Sequence, residues 1–136
     1  MNKQSRLAVV APNAAKDLAA LPLIEQNEVA VNLILWGLAE FPASKTIAEL
    51  RQVFGDKDAN KASLITEKLD ERYFGTDAEP ESSEMFHKAR LASAVTFVIQ
   101  GIPEEAIYEL IHSFDDIELA KDKLDQILQQ WSSEKG

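Results

Sequence analysis

The sequence predicts an all-α protein, a compact bundle of about seven helices. Apolar residues recur at helical spacing along most of the chain, and residues that start and stop helices punctuate those stretches. Two segments, Val29 to Ala39 and Leu91 to Ile99, are apolar almost all round, so they belong inside a bundle. A length of 136 residues suits a single helical domain spanning 1–136, able to bury about two thirds of the surface its unfolded chain exposes.

The elements follow in order. Residues 1–12 read as a loose arm. Lys3 and Arg6 precede the apolar run Leu7 to Ala11, but Pro12, Asn13, Lys16 and Asp17 interrupt it before the ~7 to 15 apolar residues of a secretory core are reached. No stretch approaches the ~20 apolar residues of a membrane span, and a cytoplasmic protein without membrane contact is expected. An Ala-rich turn at 14–20 leads to Pro22, placed where the first turn of a helix tolerates proline, and Pro42 ends that helix.

Thr46 with Glu49 resembles a capping box opening a third helix, which carries Ile47, Leu50, Val53 and Phe54 and stops at Gly55. A fourth helix starts near Asp58 and places Ala62, Ile65, Leu69 and Tyr73 on one stripe. Residues 75–83 form an acidic linker, and Ser83 is a fair N-cap for the fifth helix. Gly101 and Pro103 separate that helix from a sixth, which faces inward with Ile107, Leu110, Ile111 and Phe114. Asp115 with Glu118 is a second cap-like pair, opening a seventh helix whose inward face is Ile117, Ala120, Leu124, Ile127, Leu128 and Trp131.

An offset of 60 residues aligns Ile47 with Ile107, Glu49 with Glu109, Leu50 with Leu110 and Phe54 with Phe114, and lays the apolar helix Val29 to Ala39 on Ala89 to Ile99. Two amphipathic helices share such matches by phase alone. A true duplication predicts two related three-helix units, 22–74 and 84–131, with the helices near 23–40 and 84–100 side by side in the centre.

The net charge of −9 is unevenly spread: +2 over residues 1–21, −3 over 22–73, −3 over 74–83 and −5 over 84–136. That balance opposes binding to nucleic-acid phosphates, which depends on Lys and Arg displacing counterions. Lys57, Lys61, Lys68 and Arg72 fall on one edge of the fourth helix, but Glu67, Asp70 and Glu71 share it, and long cationic stems commonly cover core side chains. With no cysteine, the chain can form no disulfide, thiolate metal site or cysteine nucleophile.

The sharpest chemical pattern is a pair of Glu-x-x-His steps, Glu84 with His87 and Glu109 with His112, using both histidines of the chain. Di-iron carboxylate bundles use such steps twice, with further glutamates from other helices; Glu25, Glu28 or Glu40 would be available here. Against that reading, Glu105, Glu109 and His112 lie opposite the apolar stripe of their helix and are expected to face water. Glu84 and His87 lie in a first turn, where the helix dipole alone favours an acid. The sequence shows neither a nucleophile elbow nor a glycine-rich phosphate loop.

The expectation is therefore a non-enzymatic interaction module without a cofactor: an inhibitor, an immunity or antitoxin-like protein, or an adaptor. It would meet a basic protein partner through an acidic helical surface. Asp77, Glu79, Glu81, Glu105, Glu109, Asp116 and Leu119 are the candidate contacts, Leu119 because it lies off the seventh helix's apolar stripe. Trp36 is large for the centre of a tightly packed helix, and core packing is its default reading. The alternatives are a metal-dependent helical enzyme using the two Glu-x-x-His steps and an acidic mimic of DNA.

Overall fold

A computed structural model describes residues 6–74 and 81–135, with the side chains of 72–74, 81–84, 132, 134 and 135 outside the description. The fold is an all-α bundle. The helices are α1 (Arg6–Val10), α2 (Pro12–Ala19), α3 (Leu23–Glu40), α4 (Lys45–Asp56), α5 (Ala59–Phe74), α6 (Glu81–Ile99), α7 (Pro103–Ile111) and α8 (Ile117–Lys135). Among the described residues no helix is long and apolar enough to cross a membrane.

Several boundaries differ from the sequence reading, each for a local reason. Residues 6–12 are not a loose arm: Leu7 and Ala11 are buried, so α1 docks by its apolar side. Residues 81–83, expected in the acidic linker, already belong to α6, so Ser83 is not its cap; residues 75–80 lie outside the described residues. Ser44, not Thr46, caps α4, because its extended backbone lets Oγ accept the Ile47 N–H at 3.2 Å. Gly55 does not stop α4. The left-handed residue is Lys57, with φ of 56°, and the Asp58 N–H closes back onto the Val53 carbonyl. Asp116 rather than Asp115 starts α8, its Oδ1 accepting the Glu118 N–H at 3.1 Å.

α6 lies in the middle, as its all-round apolarity requires: Ala89, Leu91, Ala92, Ala94, Val95 and Val98 are all buried. It packs on α3, α4, α5 and α7. The pairings come in interchanged sets: α3 with α7 and α6 with α4, α5 with α6 and α8 with α3, α4 with α5 and α7 with α8. Two like units facing one another would pair this way. The resemblance has limits, since α6 packs extensively on α7 whereas α3 and α4 make no comparable pairing. Positions aligned by the offset behave alike in the core, Ile47 with Ile107 and Leu50 with Leu110, all fully buried.

Gly37 sets the approach of α3 to α7. A Cβ at this position would lie 2.6 Å from Cδ2 of the fully buried Leu110 and 3.8 Å from the Phe114 ring. Gly37→Ala gains up to ~1 kcal/mol of helix propensity and meets overpacking of ~1–3 kcal/mol. Net destabilisation of about 1 kcal/mol is expected. In a Leu110→Ala background, itself costing ~2–5 kcal/mol, the same change should become neutral or stabilising, because the added methyl enters the vacated space. Urea denaturation of the four proteins measures the coupling; strict additivity would contradict the close approach.

Candidate functional site

The surface carries one acidic region neutralised within the molecule and one neutralised only in part. The first lies on α7. Glu109, expected to face water, is only 4 % exposed, and this corrects the sequence reading. Arg90 of α6 causes the difference: its Nη1 donates to both Glu109 carboxylate oxygens at 3.2 and 3.3 Å, while Nη2 donates to Asp70 of α5 at 3.2 Å. Arg6 of α1 adds a second cation 3.6 Å from Glu109, hydrogen-bonds Glu105 and lies over the Tyr108 ring, 4.3 Å from its centroid. The hydrogen bond to Glu105 raises the Arg6 pKa above its ordinary value. Glu105 and Glu109 thus hold α1, α6 and α7 together and are neutralised within the molecule.

The Glu-x-x-His steps do not converge. His87 Nε2 meets Asp115 Oδ1 at 3.1 Å, whereas His112 caps the end of α7 with Nδ1 donating to the Tyr108 carbonyl at 3.0 Å. Glu109 is engaged by arginines, and the Glu84 side chain lies outside the described residues. Among the described residues no three His, Asp or Glu side chains gather as metal ligands would. His87 and Asp115 instead border a hollow of about 420 Å³, walled by Phe41, Pro42, Ser44 and Phe114.

The partly neutralised region is formed by α8 and α2. Glu118, Asp122 and Asp125 recur at intervals of four and three on α8, a stripe that faces the start of α2, and Asp17 of α2 acts on Asp125 from across the gap. Lys121 shares the depression, its ammonium 3.3 Å from Glu118. Partial loss of water under α2, with the charges of Asp122 and Asp17, raises the Asp125 carboxyl pKa above its ordinary value. Leu119 and Asp116, both anticipated from the sequence, stand exposed beside this stripe. Leu119 is 47 % exposed. Of the other anticipated contacts, Glu81 lies at the start of α6, and Asp77 and Glu79 fall outside the described residues.

On the other side of α8 a cleft of about 350 Å³ separates it from α3, lined by Asn32, Trp36, Lys123, Ile127, Gln130 and Trp131. Trp131 Nε1 donates to Glu25 at 2.9 Å. Trp36 is not deep core: it is half-buried, with its ring 5.1 Å from that of Phe114, which stands 5.2 Å from Phe41. That Trp131 and Trp36 line one cleft was not legible from the wheel of α8, which showed only that Trp131 points inward. The acidic stripe of Glu118, Asp122 and Asp125 was not among the contacts expected from the sequence, although its spacing signals it, because acids at i, i+4 and i+7 share one face.

Comparison of the chain with protein families, curated proteins and solved structures finds no match. What the arrangement can do must therefore be argued from its own residues.

Two predictions test this geometry. Arg90→Met leaves Glu109 buried with Arg6 as its remaining cation, and should cost about 3 kcal/mol in urea unfolding; Arg90→Met with Glu109→Leu should recover most of that loss. For Asp125, a raised folded pKa means that the folded state binds the proton more tightly than the unfolded chain. That contribution is fully present below the ordinary aspartate pKa and is lost as pH rises through the folded value. Asp125→Asn should therefore raise the urea midpoint at pH 7, with the gain shrinking as pH is lowered toward 4.

Proposed function

We propose that the protein is a non-enzymatic interaction module that binds a basic protein partner through the acidic surface of α8 and α2. The observation that carries this reading is the crowding of Asp17, Glu118, Asp122 and Asp125 about one depression, with Lys121 the cation beside them. Carboxylates held this way repel one another in the free protein, and a cationic partner relieves that repulsion on binding. Leu119 supplies an apolar contact at the edge of the stripe, the arrangement of an interface core beside a polar rim.

The metal-enzyme alternative draws less support from the described residues, where His87 lies beside Asp115 and Glu109 is paired with Arg90. The acidic surface moves accordingly: α7 contributes little, since Glu105 and Glu109 are paired with arginines, and α8 contributes most. An inhibitor, an immunity or antitoxin-like protein and an adaptor would all use such a face. A DNA mimic would use it too, against a nucleic-acid-binding protein.

Affinity capture from the native cell lysate at low and moderate salt, followed by mass spectrometry, tests the reading. A specific partner should be recovered with the natural chain and lost with the Asp122→Lys, Asp125→Lys double variant. Recovery of no specific partner, or equal recovery by the charge-reversed variant, would sink it.

A further inference from the structure

A basic edge stands apart from the acidic face of α8 and α2. Lys61 and Lys68 of α5 are exposed, and Lys68 shares a depression of about 260 Å³ with Lys45 and Thr46 at the start of α4. Among the described residues none of these three lysines forms an ion pair. Arg6, Arg90 and Lys121 are by contrast taken up by Glu105, by Asp70 with Glu109, and by Glu118. Asp70, which shares α5 with the lysines, is turned away from them toward Arg90. Glu67 and Glu71 stand about 60° to 120° round the helix from the two lysines, and Glu49 borders the depression. Leu64, one turn from each lysine of α5, is 54 % exposed at the edge.

This edge matches the acidic stripe of α8 in length and make-up. Lys61 and Lys68 are seven residues apart, as are Glu118 and Asp125, which is about 10.5 Å of helix in each case. Each stripe has an exposed leucine beside it, Leu64 on α5 and Leu119 on α8. The two faces belong to different parts of the molecule, because α5 rests on α4 and α6 whereas α8 rests on α2, α3 and α7. They meet between molecules and not within one. Nucleic acid fits the edge less well: so few lysines release few counterions, and a net charge of −9 repels phosphates from the rest of the surface.

We propose that the chain associates with itself head to tail, the Lys45, Lys61 and Lys68 edge of one copy docking on the Glu118, Asp122 and Asp125 stripe of the next. The inference rests on the reading of the α8 and α2 face as a surface for basic proteins, and names a second copy as one of them. The contact is heterologous. A pair of copies therefore leaves a lysine edge open at one end and an acidic stripe open at the other, and growth beyond two copies follows unless a ring closes. Net charge opposes the approach elsewhere on the surface, which makes the association weak.

Sedimentation equilibrium of the full chain, over concentrations reaching about 1 mM, reads the association. The weight-average mass should rise with concentration above the 15.1 kDa of one chain. Lys61→Glu with Lys68→Glu, and separately Asp122→Lys with Asp125→Lys, should each weaken association at least tenfold. All four positions are exposed, and circular dichroism checks that both variants are folded. An equimolar mixture of the two variants should associate again, because the intact stripe of the first meets the intact edge of the second and the two reversed faces also complement one another. That recovery separates pairing of the faces from the change in net charge.

A mass of one chain throughout, unchanged association after reversal of the lysine edge, or a mixture that stays monomeric each overturns the proposal. If reversal of α8 abolishes association while reversal of α5 does not, the lysine edge falls and the acidic face stands. Capture of a lysate partner that is lost on reversal of α8, with no self-association at any concentration, likewise removes the second copy and keeps the reading of the α8 and α2 face.

Discussion

Between Leu91 and Val98 α6 buries Leu91, Ala92, Ala94, Val95 and Val98 and leaves only Ser93, Thr96 and Phe97 part-exposed, and enclosing that stretch is the constraint on which the remaining packing depends. One neighbouring helix covers only a stripe, so α3, α4, α5 and α7 are all needed around it. The helices that cover α6 leave their own outer faces to be closed by α1, α2 and α8. Leu7 of α1 and Leu18 of α2 are consequently buried, although their segment is short and its sequence begins as a charged arm. Gly37 belongs to the same constraint: α3 must reach α7 as well as α6, and a Cβ at that position would press on the buried Leu110 side chain.

At the edge of this apolar enclosure part-buried Arg90 and buried Glu109 form a polar cluster. Arg90 reaches Asp70 on α5 and Glu109 on α7 from the buried helix, while its Nε atom is left buried without a hydrogen-bond partner. Such a cluster is a weak source of net stability, because desolvation offsets most of the attraction. Its effect is on register. A slip of α7 by one residue would turn Glu109 away from Arg90 and Arg6 and leave charges buried without partners, an arrangement far costlier than a slip in a purely apolar contact. Arg6 extends the same logic to α1, whose five residues are too few to hold a helix by backbone bonds alone.

The all-α class and the inward faces of the helices were legible in the sequence because they depend on spacing within one helix. Ile107, Leu110 and Ile111 are buried as their wheel requires, and Leu119 is exposed as its position off the α8 stripe requires. Glu109 was misread for the complementary reason. A helical wheel sees one helix at a time, and the burial of an acid is decided by cations on α6 and α1, distant in sequence. The caps of α4 and α8 were misplaced by one or two residues, since Ser44 and Asp116 compete with nearby polar residues and the backbone angles decide between them. The contact of Trp36 with Phe114 was illegible for the same reason as Glu109: it depends on the packing of α3 against α7, residues distant in sequence.

The division of acids between α7 and α8 bears on function through linkage. On α7 the chain supplies its own cations, so an incoming basic group would have to displace Arg6 or Arg90 before gaining anything. On α8 it does so only in part: Lys121 pairs with Glu118, while Asp125 carries a raised carboxyl pKa because partial burial and the charges of Asp122 and Asp17 disfavour its ionised form. A protein that holds its carboxylates this way is less stable free than it would be with a cation present, and that difference is available to whatever binds the folded state. The stripe lies on the side of α8 that faces α2, with Leu119 exposed at its edge, whereas the tryptophan cleft lies on the other side of the helix. That geometry turns a diffuse excess of negative charge into a directional surface.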